Sequence, residues 1–324
     1  MVKVVASSAC TLRTLRWISR LTSLRHINMN WVSFTNSSNW LQHLNALPRV
    51  QEIELISCHS RTFPCSLSYV NFTSLTTLDL RYNNINSIIP DWGFNITSLE
   101  IFYLGWNDLY GIFPYSITKF TSLRALDLSG SVFQIGFMQV APISNHCKLQ
   151  ILYLCSVPIN DVLANVKMVL SGCLKNSMEE LDLGGTQPSG SFLNWPGNIK
   201  NLKSLYLSFN SIYGSVPTSN GDLSLLQHLF LDSNYLNRTI SKGIGQLKSL
   251  VSLDLYHNSL SLSKENLANL SCLEYLDISY DFIELNKSDE WIPPFSIWET
   301  LQGFLSNRAH TPNSKLALNT NHSF

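Results

Sequence analysis

Apolar residues recur along this chain in a short phrase that returns about every 24 residues. Clear copies of the phrase read Leu75-Thr-Thr-Leu78-Asp-Leu80-Arg-Tyr-Asn83, Leu202-Lys-Ser-Leu205-Tyr-Leu207-Ser-Phe-Asn210 and Leu250-Val-Ser-Leu253-Asp-Leu255-Tyr-His-Asn258. The alternation within each copy predicts a short strand, because alternate side chains of a strand point to the same face. The leucines of each strand are therefore expected in the core, and the residues around them on the open surface.

The phrases keep one phase along most of the chain. Successive phrases begin 23 to 29 residues apart. One repeat cannot bury its apolar side alone, so stacked neighbours are expected to form a continuous parallel sheet on a concave wall. The eleven first apolar positions are Leu24, Val50, Leu75, Leu99, Leu123, Leu149, Met178, Leu202, Leu226, Leu250 and Leu273.

The ninth position of the phrase favours Asn, whose side-chain amide can satisfy backbone groups at the buried turn after the strand. Five repeats follow this rule, at Asn83, Asn107, Asn210, Asn234 and Asn258. Six repeats depart from it, at Val32, Cys58, Ser131, Val157, Thr186 and Asp281. Where valine stands, backbone groups or water are expected to take over the role of the amide.

Several repeats continue after the Asn as x-Leu-x-Gly-x-apolar-Pro. Examples are Leu109-Tyr-Gly111-Ile-Phe-Pro114 and Ile212-Tyr-Gly214-Ser-Val-Pro217. This phrase resembles the plant-type leucine-rich repeat. Three further phrases resemble receptor-like proteins of the ethylene-inducing-xylanase receptor type, and they begin at Asn39-Trp40, at Leu170-Ser-Gly-Cys173 and at Trp291-Ile-Pro-Pro-Phe295.

The resemblance covers roughly residues 15 to 297 and implies an α/β fold. The expected architecture is a curved, right-handed leucine-rich-repeat solenoid of about eleven plant-type repeats, with its parallel sheet on the concave face. The resemblance also implies that a complete member has a secretion signal, an N-terminal cap, more repeats, one membrane helix and a short cytoplasmic tail. The implied location is the extracellular face of the plasma membrane.

The predicted domains follow the repeat. Residues 1–16 are expected to be an irregular N-terminal segment without a proper cap, residues 17–297 the solenoid, and residues 298–324 a non-repeat, disordered tail. No apolar stretch of about 20 residues occurs, so no membrane-spanning segment is expected. The sequence is interpreted as an internal piece of a receptor ectodomain.

Composition narrows the classes of function. Charged residues make up 14% of the 324 residues, below the roughly 25% of ordinary soluble proteins. Lys plus Arg and Asp plus Glu both number 22, so no basic footprint for nucleic acid is expected. Catalytic, kinase, phosphate-loop and zinc motifs are absent from the sequence. No enzyme activity, cofactor or metal is therefore predicted.

The seven cysteines leave at least one unpaired if disulfides form. A Cys58–Cys65 bridge is one option, and Cys147 with Cys173 could bridge the longest step. That step also contains the one predicted helix, which begins at Asp161 and ends at Gly172.

Sequons place candidate glycans at the edges of the repeats. In three of them the Asn lies four residues before the first apolar position, where a glycan would be held away from the concave sheet. The predicted glycosylation sites are Asn36, Asn71, Asn95, Asn237, Asn269 and Asn286.

Variable positions on the concave face are unusually rich in aromatic residues, which often dominate binding surfaces. An alternative is that these aromatics stack on neighbours in adjacent repeats. The Asp that recurs between the core leucines is interpreted as part of the Leu-Asp-Leu strand, not as a metal or catalytic set. The candidate ligand-binding residues are Tyr103, Trp106, Tyr153, Tyr206, Phe209, Phe230, Tyr256 and His257.

The sequence therefore favours a recognition ectodomain of a plant cell-surface receptor in defence signalling. By the resemblance, it would bind an extracellular protein, peptide or glycan and signal through a partner kinase that acts as co-receptor. Two alternatives stay open: a secreted inhibitor of a microbial cell-wall-degrading enzyme, and a truncated product without independent activity.

Overall fold

The apolar phrases form strands at the predicted positions. The computed structural model describes residues 3–5, 15–34, 40–59, 63, 67, 69–112, 115–134, 141–159, 170, 172–191, 199–216, 223–240, 242–262, 267, 269–279 and 282–283. One parallel sheet contains Lys3–Val5, His26–Asn28, Glu52–Glu54, Thr77–Asp79, Ile101–Tyr103, Ala125–Asp127, Ile151–Tyr153, Glu180–Asp182, Ser204–Tyr206, His228–Phe230, Ser252–Asp254 and Tyr275–Asp277.

This sheet has twelve strands in the described part of the chain, and sequence order matches spatial order. Every neighbouring pair is parallel, and equivalent positions of successive repeats lie side by side, as in Leu205 beside Leu229. The predicted leucine-rich-repeat solenoid is confirmed. The additional strand is Lys3–Val5, which pairs with His26–Asn28 and lies in the segment expected to be irregular. The domain boundaries themselves remain predictions.

The core is a single apolar column along the solenoid. All eleven first apolar positions are at most 2% exposed, and the leucines within each strand are buried with them. Burial at this depth removes the leucine side chains from water, which stabilises each by about 1.5–3 kcal/mol. Adjacent repeats share this core, so each repeat depends on its neighbours.

The ninth-position asparagines connect successive repeats. The amide of Asn107 donates to the carbonyl oxygens of Leu104 (2.8 Å) and Leu80 (2.9 Å), one in its own repeat and one in the preceding repeat. Its side-chain oxygen accepts the backbone N–H groups of Asn83 and Ile85, both at 3.0 Å. This series is here called the Asn ladder, and its members are Asn83, Asn107, Asn210, Asn234 and Asn258.

Two polar substitutes take over part of the role of the asparagine. The thiol of Cys58 donates to the carbonyl oxygen of Met29 at 3.1 Å, the preceding-repeat acceptor that an Asn would use. The hydroxyl of Thr186 donates to the carbonyl oxygen of Leu183 at 2.7 Å, within its own repeat. Burial raises the pKa of the Cys58 thiol to about 12, so this group stays neutral.

Where valine replaces the asparagine, the backbone closes the turn, as predicted. The N–H of Val32 donates to the carbonyl of Met29 at 3.2 Å, and that of Val157 to the carbonyl of Leu154 at 3.0 Å. Ser131 is buried in the same position, and its hydroxyl has no partner among the described residues. The ladder is therefore weakest around the fifth and sixth repeats.

A second set of strands follows the Asn ladder. A five-stranded parallel sheet contains Ser189–Ser191, Ser211–Gly214, Tyr235–Thr239, Ser259–Leu262 and Phe282–Ile283, and a two-stranded sheet contains Tyr110–Ile112 and Val132–Gln134. These two sheets are here called the lateral sheets. Gly111 and Gly214 adopt φ values of +95° and +92° there, a region that glycine enters without steric cost. The x-Leu-x-Gly phrase thus encodes lateral strands.

Short helical segments complete the repeats. The 3-10 segments are Ile18–Arg20, Asp91–Asn95, Tyr115–Lys119, Ala141–Asn145, Leu174–Asn176 and Lys242–Gln246. An α-helix at Trp40–Asn45 was not predicted, and it buries Trp40, Leu41 and Leu44 against the core. The helix predicted from Asp161 to Gly172 lies outside the described residues, except for Leu170 and Gly172. No helix in the described part is long and apolar enough to cross a bilayer.

Cys147 and Cys173 form a disulfide, as the sequence allowed. The bond joins positions 26 residues apart and closes the longest step between repeats. Cys58 is a free thiol, so it does not form the bridge to Cys65 that the sequence also allowed. Cys65 itself lies outside the described residues.

Leu205 and Leu253 are fully buried, so Leu→Ala at either position should destabilise the solenoid by about 2–5 kcal/mol. Hydrogen exchange should accelerate mainly in the mutated repeat and its neighbours, because repeats couple to adjacent ones. Lys248→Ala, an exposed change in the same region, should leave exchange unaltered. Uniform acceleration over every repeat would contradict this expectation.

Asn234→Ala should remove the side-chain acceptor of the Ile212 N–H and one of the two side-chain amides that donate to each carbonyl of Leu207 and Leu231. A buried N–H without its partner costs about 1–3 kcal/mol and each lost amide bond about 0.5–1.5 kcal/mol, so a total loss of about 2–4 kcal/mol is expected in denaturant titrations. Asn234→Thr should lose less, because a threonine can keep the bond that Thr186 makes. A loss below about 0.5 kcal/mol for Asn234→Ala would show that the amide bonds contribute little.

Candidate functional site

The concave face is formed by the strand residues on either side of the buried leucine. Strand register places these outward residues in columns across the repeats, about 4.8 Å apart. The column between the core leucines contains Asn28, Glu54, Asp79, Tyr103, Asp127, Tyr153, Asp182, Tyr206, Phe230, Asp254 and Asp277. Most of its members are half-buried, because neighbouring side chains in the column cover one another.

The recurring Asp has a structural role that sequence reasoning did not identify. In five repeats its carboxylate accepts the backbone N–H of the residue two positions later, which closes the turn at the end of the strand. The N–O distances range from 2.8 to 3.1 Å at Asp79, Asp127, Asp182, Asp254 and Asp277. No group of three metal-ligating side chains occurs among the described residues. The hydrogen bond to the backbone explains why Asp recurs at this position of the strand.

The residue before the ninth position turns the backbone away from the core. It adopts a left-handed conformation at Tyr82, Trp106, Phe209 and His257, with φ between +54° and +60°. Non-glycine residues seldom adopt this region. The turn leaves these side chains on the surface: Trp106 is 43% exposed and Phe209 is 68% exposed.

The first aromatic group lies in the third to fifth repeats. The rings of Tyr82 and Trp106 stack at 6.0 Å with an interplanar angle of 2°. Beside them, the guanidinium of Arg81 lies 4.6 Å from the ring centroid of Tyr103. Arg81 also donates to both carboxylate oxygens of Asp79, through Nε to Oδ1 at 3.0 Å and Nη2 to Oδ2 at 2.7 Å.

A glycine makes room within this group. A Cβ at Gly105 would lie 2.5 Å from both carboxylate oxygens of Asp127, so only glycine allows that carboxylate its position. Burial opposes the charge of Arg81, but its hydrogen bond and ion pair with Asp79 outweigh burial and raise the pKa of the guanidinium. Burial raises the pKa of the Asp127 carboxyl. Arg81 is therefore a cation held permanently between acidic and aromatic groups.

Tyr153 lies between the two aromatic groups. Its hydroxyl donates a short hydrogen bond to the carboxylate of Glu180 in the next repeat. Burial raises the pKa of the Tyr153 phenol, and the bond and charge of Glu180 raise it further. Tyr153 is thus fixed by a neighbour and offers less free surface than Trp106.

The second aromatic group lies in the eighth to eleventh repeats. Phe230 is stacked between Tyr206 (centroids 5.1 Å apart, interplanar angle 20°) and Tyr275 (6.4 Å and 25°). Tyr256 and His257 lie beside this stack, with ring centroids 5.8 Å apart. The stack holds its rings in one orientation, so this surface is already formed before any ligand arrives.

The eight candidate residues thus fall into two separate groups, with Tyr153 between them. Both readings of the aromatics have support: Trp106, Phe209, Tyr256 and His257 are exposed, while Tyr206 and Phe230 are half-buried in a stack. Their role in binding stays a prediction. The sequence analysis did not include Tyr82 and Tyr275 among the candidates. A comparison of neighbouring positions in adjacent repeats would have paired them with Trp106 and Phe230.

The predicted glycosylation sites lie off the concave sheet wherever they are described. Asn71, Asn95 and Asn269 precede strands, and Asn237 lies in a lateral strand. Asn36 and Asn286 lie outside the described residues. Glycosylation itself remains a prediction.

Three carboxylates border the second aromatic group: Asp232, Asp254 and Asp277. Burial, and to a smaller extent the charges of Asp232 and Asp277, raise the pKa of Asp254 to about 6. The hydroxyl of Tyr275 donates to Oδ2 of Asp254 at 3.3 Å. At neutral pH this carboxyl is ionised in an environment that disfavours its charge.

Asp254→Asn should therefore stabilise the protein at neutral pH. The folded-state pKa lies above the ordinary value of 3.8, so the stability associated with Asp254 is lost as pH rises from about 4 through about 6. After allowance for partial solvation, the variant should gain about 1–2 kcal/mol at about pH 7 and nothing near pH 4. Thermal unfolding measured across this range tests the expectation, and a variant less stable than the parent at pH 7 would refute it.

Comparisons with known proteins agree with this geometry. Family models described as leucine-rich repeats match residues 73–133 and 201–223. Receptor-like protein 41 of Arabidopsis thaliana is 29% identical over 195 residues, which cover 59% of this chain and 21% of that protein. Receptor-like protein EIX1 of Solanum lycopersicum is 28% identical over 212 residues, covering 64% of this chain and 20% of the relative.

Solved structures show the same fold. The ectodomain of the membrane receptor kinase GASSHO1/SCHENGEN3 of Arabidopsis thaliana superposes with a TM-score of 0.62 at 21% identity, covering 84% of this chain and 38% of that one. The matched regions span about a fifth of the two receptor-like proteins. The chain thus has a leucine-rich-repeat fold, and its sequence is similar to those of plant receptor-like proteins.

Proposed function

We propose that this chain is the recognition part of a plant cell-surface receptor in defence signalling, and that it binds an extracellular protein, peptide or glycan on its concave face. The observation that carries the proposal is the open face of the long sheet, which presents two groups of ordered aromatic rings. Such rings supply large contact areas with little loss of side-chain freedom, as in the hot spots of protein interfaces.

The stacking of the rings supports recognition rather than opposing it. Association is weakened by the ordering of mobile side chains, at about 0.5–1.5 kcal/mol for each flexible group. The Tyr82–Trp106 stack and the Tyr206–Phe230 stack are ordered in the free protein, so a ligand avoids most of this cost. The surface is therefore pre-organised for a ligand that lies along the sheet.

The relatives support the same role at the level of the fold. The Arabidopsis ectodomain described above was solved in complex with CASPARIAN STRIP INTEGRITY FACTOR 2. By the resemblance to receptor-like proteins, signalling would pass to a partner kinase that acts as co-receptor. The proposed location is the outer face of the plasma membrane, with glycans off the concave sheet.

Replacing Tyr206 and Phe230 together with Ala should abolish the response of a full-length receptor that contains these repeats. The stack between the two rings is worth about 0.5–1.5 kcal/mol, so a modest fall in melting temperature is expected. Response to microbial extracts in leaf tissue and surface expression would be measured together.

A matched control is available in the lateral sheets. Tyr213 and Tyr235 are exposed, lie side by side in adjacent strands, and should tolerate replacement by Ala without loss of response. A normal response of the Tyr206→Ala/Phe230→Ala receptor at normal surface expression would contradict the proposal. Inhibition of a microbial cell-wall-degrading enzyme by the purified chain, without any receptor response, would favour the inhibitor instead.

A further inference from the structure

On the concave face, one positively charged side chain of the protein, Arg81, is held by its neighbours. Arg81 lies against the ring of Tyr103 and forms a two-point ion pair with Asp79, and the charge of Asp127 acts on it as well. A guanidinium donates hydrogen bonds to carboxylates, and its positive charge is attracted to the face of an aromatic ring. The first aromatic group is therefore an internal template for holding an arginine side chain.

The second aromatic group contains the same kinds of side chain as this template, one ring and two acids in a single column, but in a different order. An acid stands at the position of the cation. In the column of Tyr103 stand Phe230, Asp254 and Asp277, and in the column of Arg81 stands Asp232. No ion pair involves these three carboxylates in the described part of the chain. The same combination of ring and acid is thus present without a resident guanidinium.

The carboxylates are held in place rather than free to turn into solvent. Backbone N–H groups fix Oδ1 of Asp254 and Oδ1 of Asp277, at 3.0 and 2.9 Å. The hydroxyl of Ser208 donates a short bond to Asp232, and the hydroxyl of Tyr275 donates to Asp254. All three acids are half-buried and remain partly accessible beside the Phe230 ring. Their like charges, gathered at adjacent positions, are unfavourable until a cation arrives.

We propose that this surface binds an arginine side chain of a peptide ligand, held by Asp254 and Asp277 beneath it and by the Tyr206–Phe230–Tyr275 rings at its side. The proposal rests on the proposed function and narrows it to a basic peptide segment. Arginine fits better than lysine, because its flat guanidinium stacks on rings and pairs with two oxygens at once, as Arg81 does.

The test uses the full chain and a fluorescent peptide of alternating glycine and arginine, four of each. Peptides with lysine or glutamate in place of arginine serve as ligand controls. The parent protein should bind the arginine peptide, the lysine peptide more weakly and the glutamate peptide not at all, in fluorescence anisotropy at low and physiological salt.

The decisive variant is Asp254→Asn with Asp277→Asn. Asparagine keeps the oxygen that accepts each backbone N–H, so the fold is expected to persist, and melting temperature is checked first. Affinity for the arginine peptide should fall about tenfold or more, since a close ion pair would be lost. The charge-matched control, Asp91→Asn with Asp108→Asn, removes two exposed carboxylates elsewhere and should change affinity less than about twofold.

Three results would overturn the inference: no binding of the arginine peptide by the parent, equal weakening in both double variants, or full binding after Asp254→Asn/Asp277→Asn. The receptor assay separates this failure from that of the proposed function. If the receptor keeps its response without the two carboxylates but loses it without Tyr206 and Phe230, the concave face recognises a ligand, and that ligand is not an arginine peptide.

Discussion

The constraint on which the rest of the structure depends is the pairing of buried carbonyl groups with the ninth-position asparagines. The carbonyl of Leu207 illustrates it, because it accepts one amide hydrogen from Asn210 in its own repeat and another from Asn234 in the next, both at 2.9 Å. Leu80 stands in the same relation to Asn83 and Asn107. A buried carbonyl without a partner is costly, so each repeat must lie at a fixed offset from its neighbour. Leucine burial supplies the free energy, and the amides set the register.

That fixed offset determines which side chains lie next to one another on the concave face. Equivalent positions of successive strands form columns, and the column that contains Tyr103 and Phe230 alternates between acidic and aromatic residues from Asp79 to Tyr206. An acid in the column closes its own turn through the N–H two residues later, while a ring in the column is free to stack on the next repeat. The same backbone thus accommodates either an acid or an aromatic ring in this column. The two aromatic groups differ mainly in that the first includes a cationic side chain, Arg81.

Much of the fold could be predicted because the apolar residues recur with the period of the structural repeat. The strands, the buried leucines and the Asn ladder all follow from residues within one repeat. The helix at Trp40–Asn45 and the strand at Lys3–Val5 could not be predicted this way, since each depends on packing against a neighbouring repeat. The site was predicted as a list of exposed aromatics. Stacking between adjacent repeats was left open as an alternative. The contact of Tyr275 with Phe230 and the guanidinium over Tyr103 were not predicted, because they join residues 45 and 22 positions apart.

We expect a ligand to contact the concave face and not the lateral sheets. Hydroxyl-radical footprinting tests it within a single molecule, since aromatic side chains react readily and both faces present exposed rings. On addition of the component of microbial extract that activates the receptor, Trp106, Tyr206 and Phe230 should become protected. The lateral and outer residues Tyr115 and Tyr235, which are 75% and 67% exposed, should react as before. Protection of Tyr115 and Tyr235 with unchanged reactivity at the three concave rings would contradict the account.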